Sequence, residues 1–124
     1  MELLKIKMKV LTTFFLLMFS IVYTSAQQLL EGLWKTGNEE TLIEISYSNE
    51  QLIGKIKSSN NEQAEIGKII LKDLQSEGNK WVGKIYAVKR KEWYSVKIVP
   101  QKEKLDLKIG SGLFSKTLEW KRES

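Results

Sequence analysis

The chain has 124 residues, 42% hydrophobic and 28% charged, with 20 Lys+Arg against 15 Asp+Glu and neither Cys nor His. That is the size of one domain. The two missing residue types exclude disulfides, thiolate or imidazole metal sites, Cys or His nucleophiles and a Ser-His-Asp triad.

The N-terminus reads as an address. Lys5, Lys7 and Lys9 form a basic start, an apolar run covers residues 10–23, and Thr24-Ser25-Ala26 supplies small residues. This is the layout of a secretory signal peptide. The apolar run is 14 residues long, short of the roughly 18 a membrane span needs. No Cys follows it, which excludes lipoprotein processing. Translation from Met8 would preserve the same layout as translation from Met1. The expectation is a signal-peptide helix within residues 1–26, cleavage after Ala26, and a periplasmic or secreted domain over residues 27–124. Removing residues 1–26 takes three Lys and one Glu, so the mature charge is 17 minus 14, or +3.

After Gln27 the dominant pattern is period-2 alternation, which a half-buried strand requires. Ile43, Ile45 and Tyr47 share one face. Leu52, Gly54 and Ile56 share another, against Lys55 and Lys57. Trp81, Gly83, Ile85 and Ala87 alternate with Val82, Lys84, Tyr86 and Val88. Tyr94, Val96 and Ile98, then Leu105, Leu107 and Ile109, repeat the rhythm. Polar or Gly/Pro-bearing turns separate these runs at residues 48–50, 77–79, 89–91, 100–103 and 110–112. Eight strands are predicted, near 30–36, 41–48, 51–58, 65–72, 80–88, 92–99, 104–110 and 113–122. In the fourth, Ile69-Ile70-Leu71 runs without alternation.

That spacing fits an all-β antiparallel sandwich or barrel. Closure into a barrel would remove two exposed sheet edges. Leu52-Ile53-Gly54-Lys55-Ile56 echoes Trp81-Val82-Gly83-Lys84-Ile85. A Gly inside a strand weakens it unless a bend or close neighbour needs the missing side chain, so Gly54 and Gly83 read as bend or packing positions.

Several groups could carry chemistry. Gly32-Leu33-Trp34 opens the first strand and Trp120-Lys121-Arg122 ends the last. In a closed meander these are neighbours, and Arg122 or Lys121 could lie over the Trp34 indole in a cation–π contact worth about 0.5–2 kcal/mol. The Gly-x-Trp with a late basic residue resembles lipocalins. Carboxylates are the remaining strong acid/base candidates: Glu39-Glu40, Glu44, Glu92, Glu103, Asp106 and Glu119. No spacing forces a pair of them together, so a carboxylate hydrolase is disfavoured. No P-loop, dinucleotide turn or calcium loop appears, and no cofactor or metal is implied. Lys89-Arg90-Lys91 beside Trp93-Tyr94 is a basic tip with aromatics, read chiefly as a solvated hairpin end. Lys116 shares the face of Phe114, Leu118 and Trp120. A cation there points inward, needing a partner or a wet cavity, unless a bulge or edge placement relieves it.

The motifs of residues 32–34, 43–45, 52–56, 81–86, 105–110 and 117–122, in this order, resemble a bacterial family known as domain of unknown function twenty-one forty-seven. The resemblance covers residues 30–122. It implies export and a lipocalin-like β-barrel, and it brings no activity. The chain departs from the family at Val88-Lys89-Arg90-Lys91-Glu92, at Ser115 and at Leu118.

The expected function is that of a non-catalytic module binding a small apolar or anionic molecule. Lys116, Tyr86, Tyr94, Trp81 and Trp93 are its candidate contacts near the barrel interior or mouth. Gly32, Trp34, Trp120 and Arg122 close the barrel. The alternative is an envelope module that contacts protein or glycan. Nucleic acid is not an expected partner, and the processed chain is not expected to span a membrane.

Overall fold

The computed structural model describes residues 30–37, 40–111 and 113–124, and only the backbone of Ser111 and Phe114. The expected signal helix, its cleavage site and Glu39 lie outside the described residues. Eight antiparallel strands follow in chain order: β1 (Gly32–Lys35), β2 (Leu42–Ser48), β3 (Gln51–Ser58), β4 (Ile69–Glu77), β5 (Lys80–Ala87), β6 (Glu92–Pro100), β7 (Lys104–Ser111) and β8 (Phe114–Arg122). Each pairs with its sequence neighbour, and β1 pairs with β8, giving a closed barrel. Among the described residues no helix is long and apolar enough to cross a membrane.

The local chemistry of the turns sets the registers. Asn49 and Glu50 have φ of 50° and 66°, both positive as a type I′ hairpin needs. The turn leaves Ser48 opposite Gln51 and Tyr47 opposite Leu52. Since side chains alternate, this one turn places Ile43, Ile45, Leu52 and Ile56 on the same inner face. Pro100 lies at the end of β6, where a missing N–H costs the ladder little.

β4 differs from the predicted 65–72 and occupies Ile69–Glu77. Two irregularities explain the difference. The register slips between Gly54 and Lys55 opposite Ile69–Leu71, so Ile70 and Leu71 are both buried. A second slip lies between Lys72 and Gln75, where Asp73 has φ of 54°. A bulge breaks strict alternation, so this strand carries no clean period-2 signal.

The inward side chains form one buried cluster. Trp34, Ile43, Ile45, Leu71, Ile98, Leu105 and Leu107 are almost inaccessible, and Trp81, Ile85 and Trp120 pack against them. Each fully buried side chain of this kind contributes about 1.5–3 kcal/mol. No buried polar side-chain atom lacks a partner among the described residues. Packing and ladder hydrogen bonds hold the barrel without a disulfide.

Candidate functional site

The barrel closes at a seam between its first and last strands. β1 meets β8 through only two register pairs, Trp34 with Arg122 and Lys35 with Lys121. The Arg122 guanidinium lies 4.2 Å from the centre of the Trp34 ring and donates to the Glu31 carbonyl at 3.1 Å. The Trp34 Nε1–H donates to the Leu30 carbonyl at 3.0 Å, and both Trp34 and Leu30 are fully buried. Gly32 sits at φ of 137°, and a Cβ there would come within 2.7 Å of Arg122 Nη1 and 2.8 Å of the Ser124 carbonyl oxygen. Trp120, buried at 3% exposure, packs in the same core. This is structural chemistry. It closes the wall between β1 and β8.

The five candidate contact residues do not converge. Register separates them. Trp81 and Tyr94 face inward with Ile85 and Val96. Trp81 is buried in the core, and the Tyr94 hydroxyl donates to Glu92 Oε2 at 3.0 Å. Tyr86 and Trp93 are a cross-strand pair of the opposite parity, so they stand on the outer wall rather than near the interior. Lys116 keeps the inward parity, opposite Ile109 in a register with no slip. It is nevertheless exposed, so water rather than a bulge relieves its charge.

Tyr86 and Trp93 are brought together, with ring centroids 5.3 Å apart and planes tilted by 59°. Two cations come with them. Lys68 Nζ lies 4.2 Å from the Tyr86 ring centre, and Lys72 Nζ lies 4.1 Å from that of Trp93. Cation–π contacts at exposed sites are each worth about 0.5–1 kcal/mol.

Beside this cluster the outer wall of β4 to β8 is concave. A cleft of about 530 Å3 is lined by Asp73, Lys84, Ser95, Lys97, Lys108 and Ser115, with Val82, Val96, Gly83 and Gly110 between them. Three ammonium groups face one carboxylate. Lys84 Nζ donates to Ser95 Oγ at 3.3 Å. Lys97 and Lys108 form no ion pair among the described residues. They are direct cross-strand partners, as are Lys72 and Lys84. Like charges directly opposite one another destabilise a sheet. Lys104 and Lys121 also pair, but there Glu119 bridges to Lys104 at 3.6 Å. The cleft has no such compensation.

The carboxylates give no acid/base pair in this cleft. Asp106 and Glu119 are cross-strand partners, yet Gln101 donates to Asp106, Glu119 holds Lys104, and neither lines the cleft. No group of three or more Asp and Glu able to hold a metal occurs among the described residues.

The lysines of the cleft were visible in the sequence only as the polar half of each strand. Lys84, Lys97 and Lys108 lie on three strands, and only the pairing registers bring them together. Lys68 and Lys72 were further hidden, because the β4 bulges removed the alternation around them.

A family model described as an uncharacterized protein conserved in bacteria (DUF2147) matches residues 32–122. No curated protein and no solved structure matches the chain.

Proposed function

The chain belongs to this uncharacterised bacterial family, and we propose that it is an exported, non-catalytic module that binds a small anionic molecule on its outer wall. One observation carries the reading: the cleft of about 530 Å3 sets Lys84, Lys97 and Lys108 against the single carboxylate of Asp73. An anion between Lys97 and Lys108 would remove a like-charge repulsion while gaining charge-assisted hydrogen bonds. Much of the inward face is taken up by one buried apolar cluster, which favours a site on the outer wall. The chain has no His or Cys, and the cleft has no second carboxylate, so binding fits the residues better than turnover.

Inorganic sulfate is the simplest probe. Isothermal titration calorimetry on the mature chain is expected to show saturable sulfate binding that weakens as ionic strength rises. The Lys97→Gln/Lys108→Gln double variant is expected to bind at least tenfold more weakly, since a hydrogen bond to a charged group contributes about 1.5–3 kcal/mol. Equal binding by variant and parent would sink the reading. Export rests on the basic, apolar and small-residue layout of residues 1–26. Intact mass measurement of protein recovered outside the cytoplasm should give a chain starting at Gln27; a retained N-terminus would remove export by this route.

A further inference from the structure

We infer that the anion is part of a linear acidic polysaccharide lying obliquely along the outer wall from the Tyr86–Trp93 pair to the Lys97–Lys108 pair. This rests on the anion-binding reading and names its substrate class. The wall carries two cross-strand lysine pairs, not one, and neither has an ion pair among the described residues. Lys72 opposes Lys84 across β4 and β5, and Lys97 opposes Lys108 across β6 and β7. Lys84 is in register with Ser95, and Val82 with Lys97. The midpoints of the two pairs are therefore two strands and two residues apart, about 12 Å along the sheet. One sulfate or phosphate cannot span that distance. A chain with a carboxylate or sulfate on alternate units can.

The aromatic pair favours a sugar chain over an inorganic polyanion. Trp93 is 37% exposed and carries Lys72 Nζ over its ring, so an exposed aromatic surface adjoins a cation. The C–H face of a pyranose and its acidic substituent match that arrangement; an inorganic polyanion has no use for the ring. The rings also hold Lys68 and Lys72 in place, which lowers the ordering cost on binding. A flat bilayer is a poorer fit, because the lysines of the cleft sit in a concavity on the barrel side wall.

The test uses the mature chain with heparin-derived oligosaccharides of defined length, inorganic sulfate and phosphatidylglycerol vesicles. Two linked contacts should raise affinity well beyond either alone, so the hexasaccharide is expected to bind at least tenfold more tightly than the disaccharide. Trp93→Ala and, separately, the surface change Lys72→Gln should each remove that gain. Circular dichroism confirms folding, and Lys72→Gln keeps the test valid if Trp93→Ala unfolds. Affinity independent of length, or a length gain that survives both variants, overturns the polysaccharide assignment. So does binding to vesicles without binding to oligosaccharides. If sulfate binds and Lys97→Gln/Lys108→Gln weakens it while length has no effect, only this inference falls. If sulfate does not bind, the anion-binding reading falls with it.

Discussion

Trp34→Ala is expected to destabilise the barrel by about 3–5 kcal/mol, the range for truncating a buried aromatic. Trp34 is fully buried, and three consequences of its loss add. A cavity opens against Ile43, its register partner. The Leu30 carbonyl loses the indole N–H. Arg122 loses the ring beneath its guanidinium. The seam is short, since β1 has four residues and meets β8 at two register pairs, extended by backbone hydrogen bonds of Leu33 with Glu123 and Ser124. A domain of this size has roughly 5–10 kcal/mol of total stability, so the urea midpoint should fall by about half.

Arg122→Ala isolates the charge. It keeps the buried Trp34 indole but removes the cation–π contact and the donor to the Glu31 carbonyl, and about 1–2 kcal/mol is expected from the two together. Equilibrium urea denaturation followed by far-UV circular dichroism measures both variants. An unchanged midpoint for Arg122→Ala would dismiss the cation as a closing element. A loss below about 1 kcal/mol for Trp34→Ala would dismiss the indole as a closing element.

The strands of the barrel were largely legible in the sequence because their signals are local. Alternation in residues 42–48, 51–57, 80–87 and 92–99 fixed which side chains turn inward, and polar turns fixed where each strand ends. The observed bounds of β2, β3, β5, β6, β7 and β8 lie within one residue of the predicted ones. β4 was not legible, because two bulges replace a repeating pattern with positions set by its neighbours. The cleft was hidden for a related reason. Lys84, Lys97 and Lys108 are 13 and 11 residues apart in the chain, and no spacing rule links them. The grouping of Tyr86 with Tyr94 and Trp81 failed on parity: Tyr86 is an odd number of residues from Trp81, which sends it to the other side of the sheet.

Gly83→Ala and Gly54→Ala should separate fold from function, although the two glycines occupy matching positions in the sequence echo. The three atoms nearest a Cβ at Gly54 would all belong to Leu71, with its Cβ and Cδ1 at 2.9 Å. Leu71 is fully buried and directly opposite in register, so the strain stays within the core. A Cβ at Gly83 would meet Leu74 Cδ2 at 2.7 Å, the Lys72 carbonyl oxygen at 2.8 Å and the Asp73 carbonyl oxygen at 3.2 Å. Two of those atoms are backbone, and they belong to the bulge that folds over Gly83. Overpacking of this kind costs about 1–3 kcal/mol, partly offset by the roughly 0.5–1 kcal/mol gained when Gly becomes Ala in a strand. Both variants should therefore lose stability by similar amounts in urea denaturation. Binding should not follow stability. Asp73 and Gly83 line the cleft, whereas Gly54 and Leu71 do not, and Lys72 opposes the cleft residue Lys84. Moving the bulge displaces Lys72 from Lys84 and Asp73 from the cleft wall. Sulfate affinity is expected to change severalfold in Gly83→Ala and to stay within about 0.5 kcal/mol of the parent in Gly54→Ala, the tolerance for uncoupled sites. Equal binding by the two variants would show that the bulge shapes only the fold. A selective change would tie the irregular β4, the least legible strand in the sequence, to the surface that binds the anion.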